Sequence, residues 1–213
     1  MELTIAVYND MTKNELIFSV KGVIDGQAAT QDSLKRSHPQ EIAIEIAKAY
    51  EFAVIQFFEN PDMSGRYDLD YFSKTYSQTL KESSGGELYV DLPAKPIAVS
   101  KGGGVRMLKP KDSNVLISRM SEAEFMTVKE LEAFCCSPVP FCYVDISGNK
   151  IVLQTNRPEY KLMDTINVKI IPKFYEFGDD DEINTPGGDY NLTNMVLQVM
   201  GLRPTDSTND DKQ

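Results

Sequence analysis

The side chains that could do nucleophilic, metal or acid–base chemistry are few and scattered. The chain has one histidine, His38, and three cysteines, Cys135, Cys136 and Cys142. A nucleophile–base pair would have to recruit His38, which stands in a polar stretch just before a helical run and reads as a solvated helix-entry residue. Three thiols, two of them adjacent, form neither an even disulfide framework nor the paired C-x-x-C spacing of a zinc site, so they read as buried free thiols. The acidic run Asp179, Asp180, Asp181, Glu182 lacks the alternating ligands, central glycine and terminal glutamate of a calcium loop, and reads as a solvated loop. In Lys101-Gly102-Gly103-Gly104 the lysine precedes the glycines and a strand pattern follows them. A phosphate-binding loop has the reverse order, so this is read as a hairpin turn. A carboxylate pair for glycoside chemistry stays open, although the chain has no tryptophan to stack against a sugar. No catalytic, cofactor-binding or metal-binding residue is singled out.

Composition narrows the class. At 213 residues the chain can hold one or two domains with a real core, and 41% hydrophobic with 25% charged residues is the balance of a soluble globular protein. No apolar run reaches the length of a membrane span, and the first ten residues lack the basic and apolar regions of a secretion signal. The net charge is −10, and no cluster of Lys and Arg beyond Lys109 and Lys111 offers a grip on phosphate backbones.

The element that must organise the chain is the run 40–59, QEIAIEIAKAYEFAVIQFFE. At 100° per residue, Ile42, Ile46, Ala49, Ala53 and Phe57 make one apolar seam, widened by Ala43, Ala47, Tyr50, Val54 and Phe58. Ile44 and Ile55 lie well round the wheel from it. That is more apolar surface than one stripe of a small monomer needs, and it points to assembly. Pro61 stops the helix, while Pro39 suits its first turn. Upstream, residues 2–9 read as a short strand or arm. Thr12 and Glu15 form a capping-box pattern that starts a helix ending near Gly26, and 26–39 reads as a long polar loop.

Downstream, Leu69, Phe72, Tyr76 and Leu80 stand at helical spacing, so 69–82 reads as a helix packed on the long one. The texture then becomes short, β-branched and punctuated. Strands are expected at 88–92, 97–100, 105–109 and 115–118, and a short helix at 126–135 begun by Thr127 and Glu130. A hairpin is expected at 141–155 around Ser147-Gly148-Asn149, and a strand at 165–174. Residues 178–188 read as an acidic loop, followed by a helix capped by Asp189 and a polar tail from Arg203. The expected fold class is α+β. N- and C-terminal helices (10–86 and 188–202) form a bundle with a small antiparallel β unit (87–177) inserted, and 203–213 is a flexible tail.

This order of elements, with the stretches FCYVDISGNKIVLQTN, INVKIIPKFYEF and YNLTNMVLQVMGL, resembles the head-to-tail connector (ring or neck, adaptor-like) proteins of crAss-like tailed bacteriophages. The resemblance covers about residues 10–205. It implies a virion structural protein without enzymatic activity or cofactor, made in the host cytoplasm and resident at the head-to-tail interface. Copies would close into a dodecameric ring touching the portal and adjacent ring or tail proteins, away from any membrane, with DNA passing through an acidic lumen unbound. Subunit-interface candidates are Ile44, Val54, Ile55 and Phe58. Candidates for docking on neighbouring proteins are Gly26, His38, Arg203 and Asp206. Two readings stay open beside this one. One is another tail-completion or tail-tube protein; the other is a small hydrolase using His38 and Cys142.

Overall fold

The computed structural model describes residues 9–30, 38–59, 72–98, 104–129, 131, 140–154, 164–185 and 192–200. Two units emerge, one built from residues 1–72 and 173–213 and the other from residues 73–172. The expected helical bundle with a small β insert is corrected. The described residues form a mixed α+β protein with four helices and ten strands in three sheets.

In the first unit, β1 (Asn9–Thr12) leads directly into α1 (Lys13–Thr30), and α2 (Pro39–Glu59) follows. The start of α1 is capped from two directions. Thr12 Oγ1 accepts from the Glu15 N–H at 3.2 Å, and Glu15 Oε2 accepts from the Thr12 N–H at 2.9 Å. The carbonyls of Asp181 and Asp179 take the N–H groups of Lys13 and Asn14. A helix N-terminus has orphan donors, and here the acidic turn before β10 (Glu182–Thr185) satisfies two of them. Of the run expected to be an acidic loop, the described residues 178–185 are half turn and half strand, and β10 pairs antiparallel with β1.

Leu16, Val20 and Ile24 recur every four residues along α1 and are buried. They pack with the α2 seam of Ile42, Ile46, Ala49 and Ala53 and with Leu192, Val196 and Leu197, where Leu192 and Val196 begin and bisect α4 (Leu192–Val199). α4 and α3 (Glu122–Val128) are the two short helices. The fully buried Tyr50 ring meets Phe177 edge-on at 6.0 Å and Phe174 at 6.2 Å. α1 runs past its expected end, so Gly26 is an exposed position on the helix rather than the head of a loop.

In the second unit the described residues hold one helix, α3, and eight strands. β2 (Lys74–Thr79) and β5 (Val105–Pro110) flank β9 (Thr165–Ile170) in one antiparallel sheet. A five-stranded sheet has the order β3 (Lys81–Glu82), β4 (Leu88–Asp91), β8 (Lys150–Gln154), β7 (Phe141–Asp145), β6 (Ser118–Arg119), with β6 parallel to β7. Leu80 alone separates β2 from β3, which joins the sheets on one side. On the other, the Ile117 N–H donates to the Leu108 carbonyl at 2.8 Å. The two sheets share a core containing Val90, Leu108, Cys142, Ile151, Ile166, Val168 and Ile170. Phe141, Tyr143 and Val152 face the other way and are covered by Phe125 of α3. Burial of both faces explains the continuous apolar runs of β7 and β8.

The helix expected over 69–82 is corrected: of its described residues, 72–82, Lys74–Thr79 and Lys81–Glu82 are strand. Tyr76 and Leu80 are four apart, a spacing that satisfies a helical turn and a strand's alternation alike. Exposure alternates residue by residue along β2, with Tyr76 half-buried between exposed Thr75 and Ser77. The short helix begins earlier than expected, at a second capping box formed by Ser121 and Glu124. The 141–155 hairpin forms as read, with Asn149 at φ 53° in its turn. Of 165–174, only Thr165–Ile170 is strand, and Phe174–Glu176 is a 3-10 turn. Of 115–118, only Ser118 lies in a strand.

Gly104 sits where three backbones converge. A Cβ there would lie 2.8 Å from the Ile171 carbonyl oxygen and 2.9 Å from the Ile97 nitrogen, distances that real side chains do not occupy. These are backbone atoms that also bond to one another, with Ile171 N–H to Gly104 O at 2.7 Å and Ile97 N–H to Ile171 O at 3.0 Å. Gly104→Ala should therefore destabilise the chain by about 1–3 kcal/mol, the usual range for overpacking. Urea denaturation with an unchanged m-value and a lower midpoint is the expected outcome.

Candidate functional site

The outward side of α2 is the first candidate. Ile44, Phe52 and Ile55 fall within about 80° of one another on the helical wheel, outside the buried seam. Ile44 is 46% and Phe52 56% exposed, and Ile55 is half-buried. On α1, Phe18 is 66% exposed. Val54 is a correction to the interface set, because it is fully buried within its own unit and has no surface to offer. The side chain of Phe58 lies outside the described residues, as do Arg203 and Asp206. Phe52 and Phe18 were missed on the sequence, although each stands among polar neighbours on the wheel opposite a clear seam.

His38 is exposed and serves as the N-terminal cap of α2. Its Nδ1 accepts from the Gln40 N–H at 3.3 Å, and its own N–H donates to Glu41 Oε2 at 3.2 Å. This is capping-box geometry with an imidazole in the place of a hydroxyl. It holds Pro39 in the first turn.

The second candidate is an open groove of about 400 Å³ in the β unit, where β6 runs into α3. Apolar walls come from Val105, Met120 and Val144, with Glu122 and Glu124 at the rim. Arg119 lines it half-buried, and its guanidinium donates to the Val105 carbonyl at 2.7 Å. Burial lowers the Arg119 pKa from its usual value. The neighbouring Arg106 charge adds to that lowering, and Cys142 opposes it. Burial likewise pushes the Cys142 thiol up to about 12. The thiol is then neutral at physiological pH and cannot serve as a counter-ion to Arg119. Glu124 is engaged by Ser121, whose hydroxyl and backbone N–H both donate to it, and these bonds lower its pKa. Nothing in the sequence marked Arg119, since a lone arginine in a short strand has no spacing signature.

Cys135 and Cys136, and the first three residues of the 101–104 run, lie outside the described residues. Among the described residues, no group of three or more His, Cys, Asp or Glu side chains is placed to hold a metal ion, and no helix is long and apolar enough to cross a membrane. The sequence matches no protein-family model and no curated protein.

A thiol with a pKa near 12 is almost wholly protonated at pH 8, about one part in ten thousand being thiolate. In a Cys135→Ser, Cys136→Ser background, Cys142 should resist a disulfide reagent at pH 8 in the folded chain and react fully in guanidinium. The linked stability effect has a definite sign. Folding keeps the thiol neutral, so the contribution is intact below pH 9 and is lost as pH rises from 9 to about 12. Reaction within minutes in the folded state would show that the β unit opens readily.

Proposed function

We propose that this chain is a structural protein that assembles side by side into a closed ring in the head-to-tail connector of a tailed phage. It would join portal to tail while DNA passes through the lumen. The observation that carries the reading is the apolar outer side of α2. Ile44 and Phe52 stay in water in the single chain, although the seam behind them already fills the core. Single exposed apolar residues are ordinary on a monomer. Two large ones lie on the same side of one helix with the exposed Lys48 between them, and together they leave apolar area that a neighbouring copy can cover. Ring closure asks for one patch to meet a different patch on the next copy, and the exposed Phe18 on α1 offers a second apolar position. The net charge of −10 suits a channel that must let a polyanion pass without holding it.

The test is the oligomeric state of the purified chain, alone and with portal protein, by mass photometry and negative-stain imaging. A ring of defined stoichiometry is expected. The double variant Ile44→Asp, Phe52→Asp should weaken association at least tenfold. It should leave the melting temperature nearly unchanged, because exposed positions contribute within about 0.5 kcal/mol to folding. A wild-type chain that stays monomeric and ignores portal and tail proteins would sink the proposal.

A further inference from the structure

Ile44, Lys48 and Phe52 follow one another at i, i+4 and i+8 along α2, so they form one ridge on its outer side. All three are exposed. Lys48 stands about 6 Å along the axis from each apolar neighbour. Its ion pair to Glu45, at 2.7 Å, lies on the surface within the same helix, where such pairs hold weakly.

The groove of the β unit matches this ridge in apolar character and opposes it in charge. Its apolar wall continues from Val144 to Ile146, which is 62% exposed in the single chain. Two carboxylates, Glu122 and Glu124, stand against one cation, Arg119, so the lining is net negative. The guanidinium is half-buried and turned to the Val105 carbonyl. Glu124 is kept ionised by the hydrogen bonds from Ser121, and Glu122 is exposed. An apolar groove with surplus negative charge asks for an apolar occupant that carries a cation.

We propose that the Ile44–Lys48–Phe52 ridge of one copy docks in this groove of the next copy. Ile44 and Phe52 lie against Met120, Val144 and Ile146, and the Lys48 ammonium meets Glu122. The inference rests on the ring reading for self-assembly and adds the surface on which the ridge lands. Charge chooses a second copy as the occupant. Each copy carries −10, so an average contact between two copies repels. Attraction needs a place where a cation of one meets carboxylates of the other, and ridge and groove supply that pair beside apolar area. Ridge against ridge would set Lys48 opposite Lys48 about a two-fold axis, which repels. The ridge belongs to the first unit and the groove to the second, so every copy offers one of each and the contact is heterologous. Phe18 adds one apolar side chain, whereas the groove adds walls and a matching charge.

The experiment mixes two full-length variants. The ridge variant, Ile44→Asp with Phe52→Asp, keeps its groove; the groove variant, Ile146→Asp, keeps its ridge. All three positions are exposed, so both variants should keep the wild-type melting temperature. In sedimentation, with and without portal protein, the wild type should assemble and each variant alone should stay monomeric at the same concentration. The equimolar mixture at high concentration should form a 1:1 dimer and nothing larger, because a single intact contact remains. Lys48→Glu should weaken assembly at least tenfold, and adding Glu122→Lys to the same chain should recover most of it. Glu122→Lys alone serves as a second groove variant should Ile146→Asp not fold. A folded groove variant that assembles like the wild type overturns the proposal and leaves the ring reading standing. A mixture without dimer, or a swapped pair that does not recover assembly, does the same. A wild type that stays monomeric under both conditions overturns both readings.

Discussion

The β unit depends on the insertion of β9 between two strands drawn from far up the chain. β9 pairs along its length with β2, some ninety positions earlier, as in Thr79 opposite Thr165 and Lys74 opposite Ile170. Its other edge is taken by β5, and its Ile166, Val168 and Ile170 all point into the core. Because strand side chains alternate, a slip of one residue would turn all three out of the core. Register here is therefore fixed by burial rather than by any turn. The cost is entropic: a long loop must close before any of these contacts forms, which places the unit among slow-folding topologies. Gly104 is part of the same constraint, since only a residue without a Cβ lets β5 start so close to the Ile97 and Ile171 backbones.

What the sequence shows and hides follows from the range of the interactions. α2 is readable because its seam repeats locally over about four turns, and its cap and stop are adjacent in the chain. The 141–155 hairpin is readable for the same reason, with Asn149 adopting the positive φ that its turn requires. β2 was misread because Tyr76 and Leu80 satisfy two periods, and the partner that decides between them, β9, is distant. β10 was misread because charge dominates its start, while its strand character comes from the β1 pairing and from one buried residue, Ile183. Val54 was assigned to a surface it does not have because a wheel shows direction and not what lies opposite. Arg119 was invisible for a related reason. Its significance comes from its half-burial in the groove and from the Val105 carbonyl that it reaches, and both are properties of the fold.

The two candidate surfaces rest on different physics. The outer side of α2 offers apolar area, which attracts without fixing orientation and is largely indifferent to salt. The groove at Arg119 offers a half-buried guanidinium, which selects geometry and charge and weakens as ionic strength rises. A protein that must repeat one contact around a ring gains from the first kind, since area supplies the adhesion. A protein that must recognise a particular neighbour gains from the second, since an unmatched hydrogen bond or charge penalises the wrong one. Having the two kinds on separate units lets one side chain change without disturbing the other surface.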